Sequence, residues 1–295
     1  MELIHRGKVR DVYQDGADEL VLVASDRVSV YDVVLPTPIP GKGEMLTRLS
    51  AWWFDELADQ VANHVISTDD VPAELKGRAM RVRKLPIVQV ECIARGHITG
   101  SGWDAYQRTG AINDVRLPEG LVEAQRLDEA IFTPTTKTPP EEGHDEPMTY
   151  QQVVDLVGAE LAAQLRDTTL ALFEHGRRVA EDRGVILADT KFEFGVGPDG
   201  ELVLADEALT CDSSRYWALE DYKLGGGVPK SYDKQVVRDY AASTGWDKKP
   251  PGPELPDEVV TETRIRYLSL YERITGDPAA RAEIERLAQE RTQAS

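Results

Sequence analysis

Acidic and basic residues alternate with apolar ones in residues 189–195, and a second charged run follows at residues 206–215. Asp189, Lys191 and Glu193 recur at every second position, so on a β-strand their side chains would share one face. Unpaired charges are costly to bury, which means that this face is either wet or binds something charged. A divalent cation together with a polyphosphate would satisfy the carboxylates and the lysine at once. One chemistry suited to this pattern is therefore phosphoryl transfer.

The two segments are predicted to form a β-hairpin, with strands over residues 185–196 and 201–205 and a Gly-Pro-Asp-Gly turn between them. Glu193 and Asp206 would then lie on opposite arms and could face each other. Mg²⁺ usually keeps several waters and takes one or two protein carboxylates, so this pair would make a partial metal site. An exposed hairpin edge with Lys–Glu ion pairs explains the same spacing, and the spacing alone does not decide between the two.

Three further segments combine cations with glycine or hydroxyl groups and are candidates for anion binding. Arg215 ends a Cys-Asp-Ser-Ser-Arg run, in which a planar guanidinium and two hydroxyls suit a phosphate or carboxylate. A helix cap with an exposed arginine is the alternative for that run. Arg95 precedes a glycine-containing stretch with Thr99 and Ser101, which resembles an anion cradle. Residues 6–10 place one glycine between cations but lack the glycines of a Walker A loop.

The elements that would position these residues run from β-rich to helical along the chain. Strands are expected in residues 1–35 and 82–94, where Pro86 interrupts the second run. Residues 132–149 are expected to be a long loop. Helical periodicity is found in residues 44–59, 102–108, 149–182, 233–242, 257–274 and 278–292. This order does not alternate as a doubly wound sheet would, so the predicted class is α+β with two lobes. The predicted domains are a β-rich lobe at residues 1–85 and a larger lobe at residues 86–295.

Composition excludes several classes of function. The 295 residues carry a net charge of −18, which argues against general nucleic-acid binding because such binding depends on Lys and Arg contacts to phosphates. No apolar run approaches the roughly 20 residues needed to cross a bilayer, and the first eight residues contain no apolar signal core. Cys92 and Cys211 are too few for a disulfide framework or a cysteine-rich zinc site. We therefore expect a cytoplasmic protein with no membrane or nucleic-acid partner.

Taken together, the charged and glycine-containing segments resemble one known family. The segments occur in order as residues 7–13 (GKVRDVY), 25–32 (SDRVSVYD), 95–101 (RGHITGS), 132–137 (FTPTTK), 189–195 (DTKFEFG), 206–207 (DE), 212–215 (DSSR) and 231–235 (SYDKQ). Over about residues 5 to 275 the chain closely resembles the longer form of the SAICAR synthetase (phosphoribosylaminoimidazole-succinocarboxamide synthase) family. The resemblance implies a ligase that joins L-aspartate to carboxyaminoimidazole ribonucleotide, giving the succinocarboxamide, ADP and phosphate. It also implies a β-rich, ATP-grasp-like or kinase-like N-terminal lobe, a larger α/β lobe, and a nucleotide cleft between them.

The same resemblance implies roles for individual residues. Those implied to lie at the catalytic metal–phosphate site are Lys191, Glu193 and Asp206, with Glu193 and Asp206 as ligands of Mg²⁺. Those implied to bind ATP, through a covering loop and an adenine-binding strand, are Gly7, Lys8, Val9, Arg10, Lys84, Leu85 and Glu91. Those implied to contact the other substrates are Arg95, Ser101, Lys137, Asp145, Asp189, Asp212, Arg215, Lys234 and Gln235. Arg95, Ser101 and Arg215 match positions that hold the ribonucleotide and its 5′-phosphate, whereas the aspartate pocket is not fixed by the sequence.

Two other functions stay open at this level. A related small-molecule kinase would stop at phosphoryl transfer and would not need aspartate. A non-catalytic binding module with the same fold would have lost its charged positions, but Lys191, Glu193, Asp206 and Arg215 are present. The expected partners are ATP, L-aspartate and the ribonucleotide, with Mg²⁺ accompanying the ATP, and a monomer is favoured over a homodimer.

Overall fold

The computed structural model describes residues 1–138 and 144–294, and it contains two main sheets and a set of helices. In chain order the strands are β1 (Glu2–Arg6), β2 (Arg10–Gln14), β3 (Glu19–Ala24), β4 (Ser29–Val30), β5 (Val33–Val34), β6 (Ala62–Asn63), β7 (Val65–Ser67), β8 (Ala79–Arg83), β9 (Val90–His97), β10 (Ala111–Ile112), β11 (Val115–Arg116), β12 (Arg126–Phe132), β13 (Thr135–Thr136), β14 (Val185–Val196), β15 (Leu202–Ala205) and β16 (Ser214–Ala218). The α-helices are α1 (Lys42–Glu56), α2 (Gly100–Thr109), α3 (Tyr150–Val157), α4 (Ala159–Glu181), α5 (Gln235–Ser243), α6 (Asp257–Thr275) and α7 (Pro278–Ala294).

The first sheet is antiparallel and has the order β1-β2-β3-β8-β7. Its central strand β3 is an apolar run whose last four residues are buried, and helix α1 packs against it. The predicted β-rich N-terminal part is confirmed. The predicted strand at residues 82–94 is interrupted around Pro86 as expected, because β8 ends at Arg83 and β9 begins at Val90.

The second sheet has the order β12-β9-β14-β15-β6, with β13 paired to β9 and β16 paired to β14. The predicted hairpin is confirmed: β14 and β15 are antiparallel, and Glu193 pairs with Ala205. Phe192 and Phe194 are fully buried in the main hydrophobic core, so the residues that alternate with them, Lys191 and Glu193, face the other way. The hydrophobic face of the hairpin therefore fixes the direction in which Lys191 and Glu193 point.

Helix α4 covers the second sheet. The helix prediction for this part of the chain was wrong in one respect. A single helix was predicted over residues 149–182, but Gly158 has φ 88° and separates α3 from α4. Glycine is the residue that adopts this backbone conformation without steric cost, so it ends one helix and starts the next. The Thr149 hydroxyl and the Gln152 side chain form a capping box at the start of α3.

The predicted loop at residues 132–149 is not entirely irregular. It contains β13, in which Thr135 pairs with Glu91 of β9, while residues 139–143 lie outside the described residues. The architecture is α+β, as predicted. Helix α1, from the N-terminal part of the chain, also packs against α6 from the C-terminal part. The division of the chain into two domains at residue 85 stays a prediction. In the described part of the chain, no helix combines the length and apolarity needed to traverse a membrane.

Candidate active site

The outer face of β14 carries a connected set of charged side chains. Lys191 Nζ lies 2.7 Å from Glu91 Oε1 and 2.9 Å from Glu193 Oε1. The predicted shared face is therefore confirmed for Lys191 and Glu193, and β9 adds a second carboxylate to it. Lys137, which follows β13, is paired with the other oxygen of Glu193. We call Arg10, Glu91, Lys137, Lys191, Glu193, Asp206 and Glu207 the phosphate cluster.

Asp206 joins this cluster from just beyond the end of β15. Glu193 pairs with Ala205, the last residue of β15, so Asp206 follows the strand and does not lie opposite Glu193 within the hairpin. Its backbone is left-handed, with φ 61°, a conformation that costs a non-glycine residue of order 1–3 kcal/mol and is retained only when its surroundings fix it. The Arg10 guanidinium donates to Asp206 Oδ1 and lies 3.2 Å from Glu207 Oε2. The N-terminal segment is thereby tied to the hairpin.

Burial and neighbouring charges have opposite effects on the pKa values of the groups in this cluster. Burial alone would raise the pKa of Asp206, but attraction to Arg10, Lys191 and Lys137 outweighs it and lowers the pKa to about 2. Burial would lower the pKa of Lys191, yet the carboxylates of Glu193, Glu91 and Asp206 raise it well above the usual value. Asp206 and Lys191 are therefore fully charged at neutral pH, which is the state needed for electrostatic stabilisation at a metal–phosphate site.

The carboxylates of the phosphate cluster suit Mg²⁺ that arrives with a polyphosphate. Among residues 1–138 and 144–294, no group of three or more His, Cys, Asp or Glu side chains is arranged to hold a metal ion. Mg²⁺ does not need such a group, since it usually binds one or two carboxylates together with substrate phosphates and water. Glu193 and Asp206 supply hard oxygen ligands, and the cations paired with them, Arg10, Lys137 and Lys191, are groups that phosphate oxygens also attract. The donor set therefore fits a metal shared with substrate.

A second charged group surrounds Asp189, which lies two residues before Lys191 on strand β14. Arg215 Nη1 lies 2.6 Å from Asp189 Oδ2, and Arg95 Nη1 lies 3.3 Å from the same oxygen. Arg95 also donates to Thr133 Oγ1 at 3.0 Å and reaches Ser101 Oγ at 3.5 Å. The predicted set of Arg95, Ser101, Asp189 and Arg215 is thus brought together by the structure.

The Arg215 guanidinium lies against the start of helix α2. A Cβ atom at Gly100 would come within 2.9 Å of Arg215 Nη2, the movable end of that side chain, and Gly100 has φ 54°, a backbone conformation that glycine adopts without steric cost. Backbone N–H groups at a helix start and a guanidinium both favour anions. A cavity of about 430 Å³ lies beside them, and its lining includes Gly100, Arg215, Ser231 and Gln235. This is a suitable location for a phosphate ester.

A third charged group surrounds Asp212. Its Oδ2 atom accepts a hydrogen bond from Lys42 Nζ at 2.6 Å, while Lys234 Nζ and the Tyr267 hydroxyl lie 3.6 Å and 3.3 Å from Oδ1. Lys42 is fully buried. Burial would raise the pKa of Asp212, but Lys234 and Lys42 hold it well below its usual range. Asp212 and Lys234 are among the residues predicted from the sequence, whereas Lys42 is not, although the Gly-Lys-Gly sequence at the start of α1 is a weak signal for it.

The predicted ATP-covering segment is a tight turn between β1 and β2. The Gly7 N–H donates to the Arg10 carbonyl at 2.8 Å, and the Ser25 hydroxyl donates to the Val9 carbonyl at 2.7 Å. The Arg27 guanidinium donates to the carbonyls of Gly7 and Lys8. These contacts fix the turn from the second predicted segment, residues 25–32.

Four predicted residues lie apart from the phosphate cluster or are exposed. Lys8 is exposed and paired with Asp32. The Lys84 ammonium group contacts Gln14 Oε1 at 2.8 Å, and the Lys84 N–H is already bonded to the Asp18 carbonyl. Leu85 packs against Gly195. Asp145 is exposed and accepts a hydrogen bond from the Thr138 N–H at 2.7 Å.

Gln235 begins helix α5, and its side chain contacts Asp239 at 2.8 Å. Asp233, two residues earlier, was not predicted, although it lies in one of the quoted segments. Its carboxylate accepts from the Gln235 N–H at 2.8 Å and from Arg238 at 3.1 Å, and it lies 3.9 Å from Arg215. Asp233 therefore connects the second charged group to helix α5.

Comparisons with known proteins identify the family to which the chain belongs. The family model described as SAICAR synthetase matches residues 3–253. A phosphoribosylaminoimidazole-succinocarboxamide synthase of Salinispora tropica is 59% identical over 277 residues, which cover 94% of this chain and 99% of that protein. The enzyme of the same name from Thermobifida fusca is 54% identical, with 94% and 92% covered.

Solved structures show the same fold. A SAICAR synthase from Saccharomyces cerevisiae complexed with SAICAR has a TM-score of 0.85 and 38% identity, covering 93% of this chain and 95% of that one. A type-2 SAICAR synthetase in complex with ADP has a TM-score of 0.70 and 25% identity, covering 92% of this chain and 97% of that one. The α+β fold predicted from the sequence is the one these proteins share.

Proposed function

The chain belongs to the SAICAR synthetase family, and on that basis we propose which of its side chains carry the reaction. The protein is an ATP-dependent carbon–nitrogen ligase of purine biosynthesis. Its substrates are ATP, L-aspartate and carboxyaminoimidazole ribonucleotide. In our proposal the phosphate cluster binds the ATP phosphates with Mg²⁺, and the group around Asp189 binds the ribonucleotide.

The observation that carries this proposal is the position of both groups on one strand. Asp189, with Arg95 and Arg215, lies two residues before Lys191 on β14. Two residues of a β-strand span about 7 Å. A ribonucleotide held at Asp189 and a polyphosphate held at Lys191 and Glu193 would therefore be close enough for direct transfer between them.

The chemistry requires that a carboxylate be activated, because its own leaving group would be oxide. A carboxylate oxygen of the ribonucleotide attacks the γ-phosphorus of ATP, the bond from phosphorus to the ADP oxygen breaks, and an acyl phosphate forms. The amine of aspartate then attacks the acyl carbon, phosphate leaves, and the nitrogen gives up a proton to become the amide. Mg²⁺, when bound, neutralises phosphate charge during the first of these steps.

The protein side chains mainly position these anions and offset their charge. Lys191 is fully charged and is the member of the phosphate cluster that lies two residues from Asp189 on β14, so we assign it to the carboxylate and phosphoryl oxygens as they react. Arg10 is assigned to the ATP phosphates because it is paired with Asp206. Lys137 is also assigned to them, and not to the other substrates as the resemblance implied, because it is paired with Glu193 of the phosphate cluster. Arg95, Ser101 and Arg215 are assigned to the ribonucleotide and its 5′-phosphate.

The remaining assignments concern the aspartate pocket, the adenine site, the ATP-binding domain and the assembly. We propose that Asp212 and Lys234 border the aspartate pocket, with Gln235 nearby, and that the backbone near Lys84 and Leu85 receives the adenine ring. We also propose that residues 1–85 form the ATP-binding domain and that the protein is a monomer, which light scattering would test. A cytoplasmic location is proposed because the two cysteines are both free and buried, as a reducing compartment allows.

The ligase and the kinase alternative are separated by the fate of the acyl phosphate. Purified protein is incubated with ATP, Mg²⁺ and the ribonucleotide, with and without L-aspartate, and both ADP and the amide product are quantified. We expect the amide to form in a ratio of one to one with ADP when aspartate is present. ADP formation without any amide in the presence of aspartate would support a kinase that stops at phosphoryl transfer.

A further inference from the structure

Arg10 contacts two carboxylates through two different nitrogens. Its Nη1 atom donates to Asp206 Oδ1, and its Nη2 atom lies 3.2 Å from Glu207 Oε2. The Arg10 side chain is only 13% exposed, so its charge is compensated mainly by carboxylates and not by water. The two carboxylates differ in exposure, since the Asp206 side chain is 28% exposed and that of Glu207 is 10% exposed. Asp206 is therefore the more open of the two to a ligand from solution.

Glu207 is anchored in the turn that follows β15. Its Oε2 atom also accepts a hydrogen bond from the hydroxyl of Thr210, a fully buried residue. The same hydroxyl oxygen accepts the N–H groups of Asp212 at 3.1 Å and Ser213 at 3.3 Å. The Glu207 carboxylate is therefore tied through Thr210 to the backbone of this turn.

Asp206 has two assigned partners, whereas Glu207 has one. In the structure Asp206 pairs with Arg10, and in the proposed function it is also a ligand of Mg²⁺. A carboxylate beside a divalent cation attracts a guanidinium less strongly, because the cation offsets its charge. Lys191 is arranged in the same way, since it contacts Glu193, which is assigned to the metal, and Glu91, which is not.

We propose that Glu207 is a positioning residue, which holds the Arg10 guanidinium at the ATP phosphates while Asp206 serves Mg²⁺. The inference rests on the proposed assignments of Arg10 to the ATP phosphates and of Asp206 to the metal. Glu207 acts only through Arg10, because a carboxylate in direct contact with a phosphate would repel it. In the metal-free protein both carboxylates hold Arg10, so the charge of Glu207 should matter most when ATP and Mg²⁺ are bound.

The test compares variants of the two paired residues with a matched control. Glu207→Gln keeps the shape of the side chain and removes its charge. Arg10→Met removes the guanidinium, and the Arg10→Met/Glu207→Gln double variant completes a cycle between the two residues. Glu174→Gln on helix α4 is the control, because Arg177 likewise contacts two carboxylates, Glu174 at 2.6 Å and Glu181 at 2.9 Å, outside the phosphate cluster.

The first measurement is the dissociation constant of ATP in the presence of Mg²⁺, determined by calorimetry. The ribonucleotide and L-aspartate are left out, so that no turnover occurs. We expect Arg10→Met to weaken ATP binding by about 10–100-fold, the value of a charge-assisted hydrogen bond, and Glu207→Gln to weaken it by about tenfold, because the guanidinium is loosened but still present. The double variant should bind ATP as weakly as Arg10→Met alone, and Glu174→Gln should keep the parental affinity.

The second measurement separates the metal-free protein from the loaded one. Hydrogen–deuterium exchange of residues 6–12 reports on the turn that carries Arg10. Glu207→Gln should exchange at nearly the parental rate without metal and nucleotide, since Asp206 still holds Arg10. With saturating ATP and Mg²⁺ it should exchange faster than the parent.

Three results would overturn the inference. Parental ATP affinity and parental exchange in Glu207→Gln would show that Arg10 does not need Glu207. Faster exchange already in metal-free Glu207→Gln would indicate a general structural contact and not a role that begins with Mg²⁺. A further loss of ATP affinity when Glu207→Gln is added to Arg10→Met would show that Glu207 does not act through Arg10.

Arg10→Met also separates this inference from the proposed function. Parental ATP affinity in Arg10→Met would refute the assignment of Arg10 to the ATP phosphates and the inference with it. Weak ATP binding in Arg10→Met beside parental binding in Glu207→Gln would refute only the role of Glu207. If Arg10→Met does not fold, the two measurements on Glu207→Gln decide by themselves.

Discussion

Glu193→Gln is the most informative single substitution at the phosphate cluster. Glu193 Oε1 accepts from Lys191 at 2.9 Å, and Oε2 is paired with Lys137. Glutamine has nearly the same shape but only one acceptor oxygen and no charge. It can therefore bond one of the two lysines and attracts neither of them as an ion.

The loss of folding stability should be small. Lys191 keeps its contact with Glu91 at 2.7 Å, so no buried ammonium group is left without a carboxylate. We expect the free energy of unfolding to fall by about 1.5–3 kcal/mol, the contribution of one charge-assisted hydrogen bond. The loss of catalysis should be larger, because a preorganised charged group is worth about 3–4 kcal/mol in the transition state, or 10²–10³-fold in kcat.

The assay follows ADP and amide formation at saturating ATP over a range of Mg²⁺ concentrations, alongside urea unfolding. Glu201→Gln is the matched control, since Glu201 lies at the turn of the same hairpin and accepts a hydrogen bond from the Asp199 N–H at 3.1 Å. The control should keep parental turnover. A kcat for Glu193→Gln within about threefold of the parent at saturating Mg²⁺, less than about 1 kcal/mol of barrier, would refute the assignment.

Three other predictions concern binding, stability and pH. Arg215→Ala should weaken ribonucleotide binding by about 10–100-fold, the value of a charge-assisted hydrogen bond, while ATP binding changes little; calorimetry showing unchanged ribonucleotide affinity would remove this role. Lys42→Met should lower the free energy of unfolding by about 3 kcal/mol, because it leaves the buried Asp212 carboxylate undercompensated, and urea unfolding of the Lys42→Met/Asp212→Asn double variant should recover part of that loss. Burial lowers the pKa of His97 to about 4, so its stabilising contribution is intact above about pH 6.5 and is lost as the pH falls toward 4. Between pH 8 and pH 5 the parent should therefore lose about 2 kcal/mol more than His97→Leu, and equal losses in calorimetric or urea unfolding would contradict this.

Local pattern was sufficient for the hairpin and for most helices. The side-chain period of a strand is two, so the alternation in residues 189–195 placed Lys191 and Glu193 on one face before any contact was known. The prediction of one helix over residues 149–182 was wrong at Gly158, where the chain forms two helices. The apolar periodicity continues across this glycine, and the sequence does not reveal its left-handed backbone conformation.

The long-range pairs could not be derived from the pattern of residues. Arg10 pairs with Asp206, 196 residues away, and Lys42 pairs with Asp212, 170 residues away. In a chain with a net charge of −18, any single acidic residue is indistinguishable from a solvated surface group. Glu91 was assigned to ATP by resemblance, and only the pairing of β9 with β14 places it beside Lys191.

The sequence by itself determined the α+β class, the charged face of the hairpin, and, through its resemblance to a family, the reaction. Those properties depend on residue type and short spacing, which the chain carries locally. The tertiary structure alone decided which carboxylate each cation neutralises and that the left-handed Asp206 places its side chain beside Arg10. These depend on sheet order and on burial, because a charge becomes part of a site only when distant strands remove it from water.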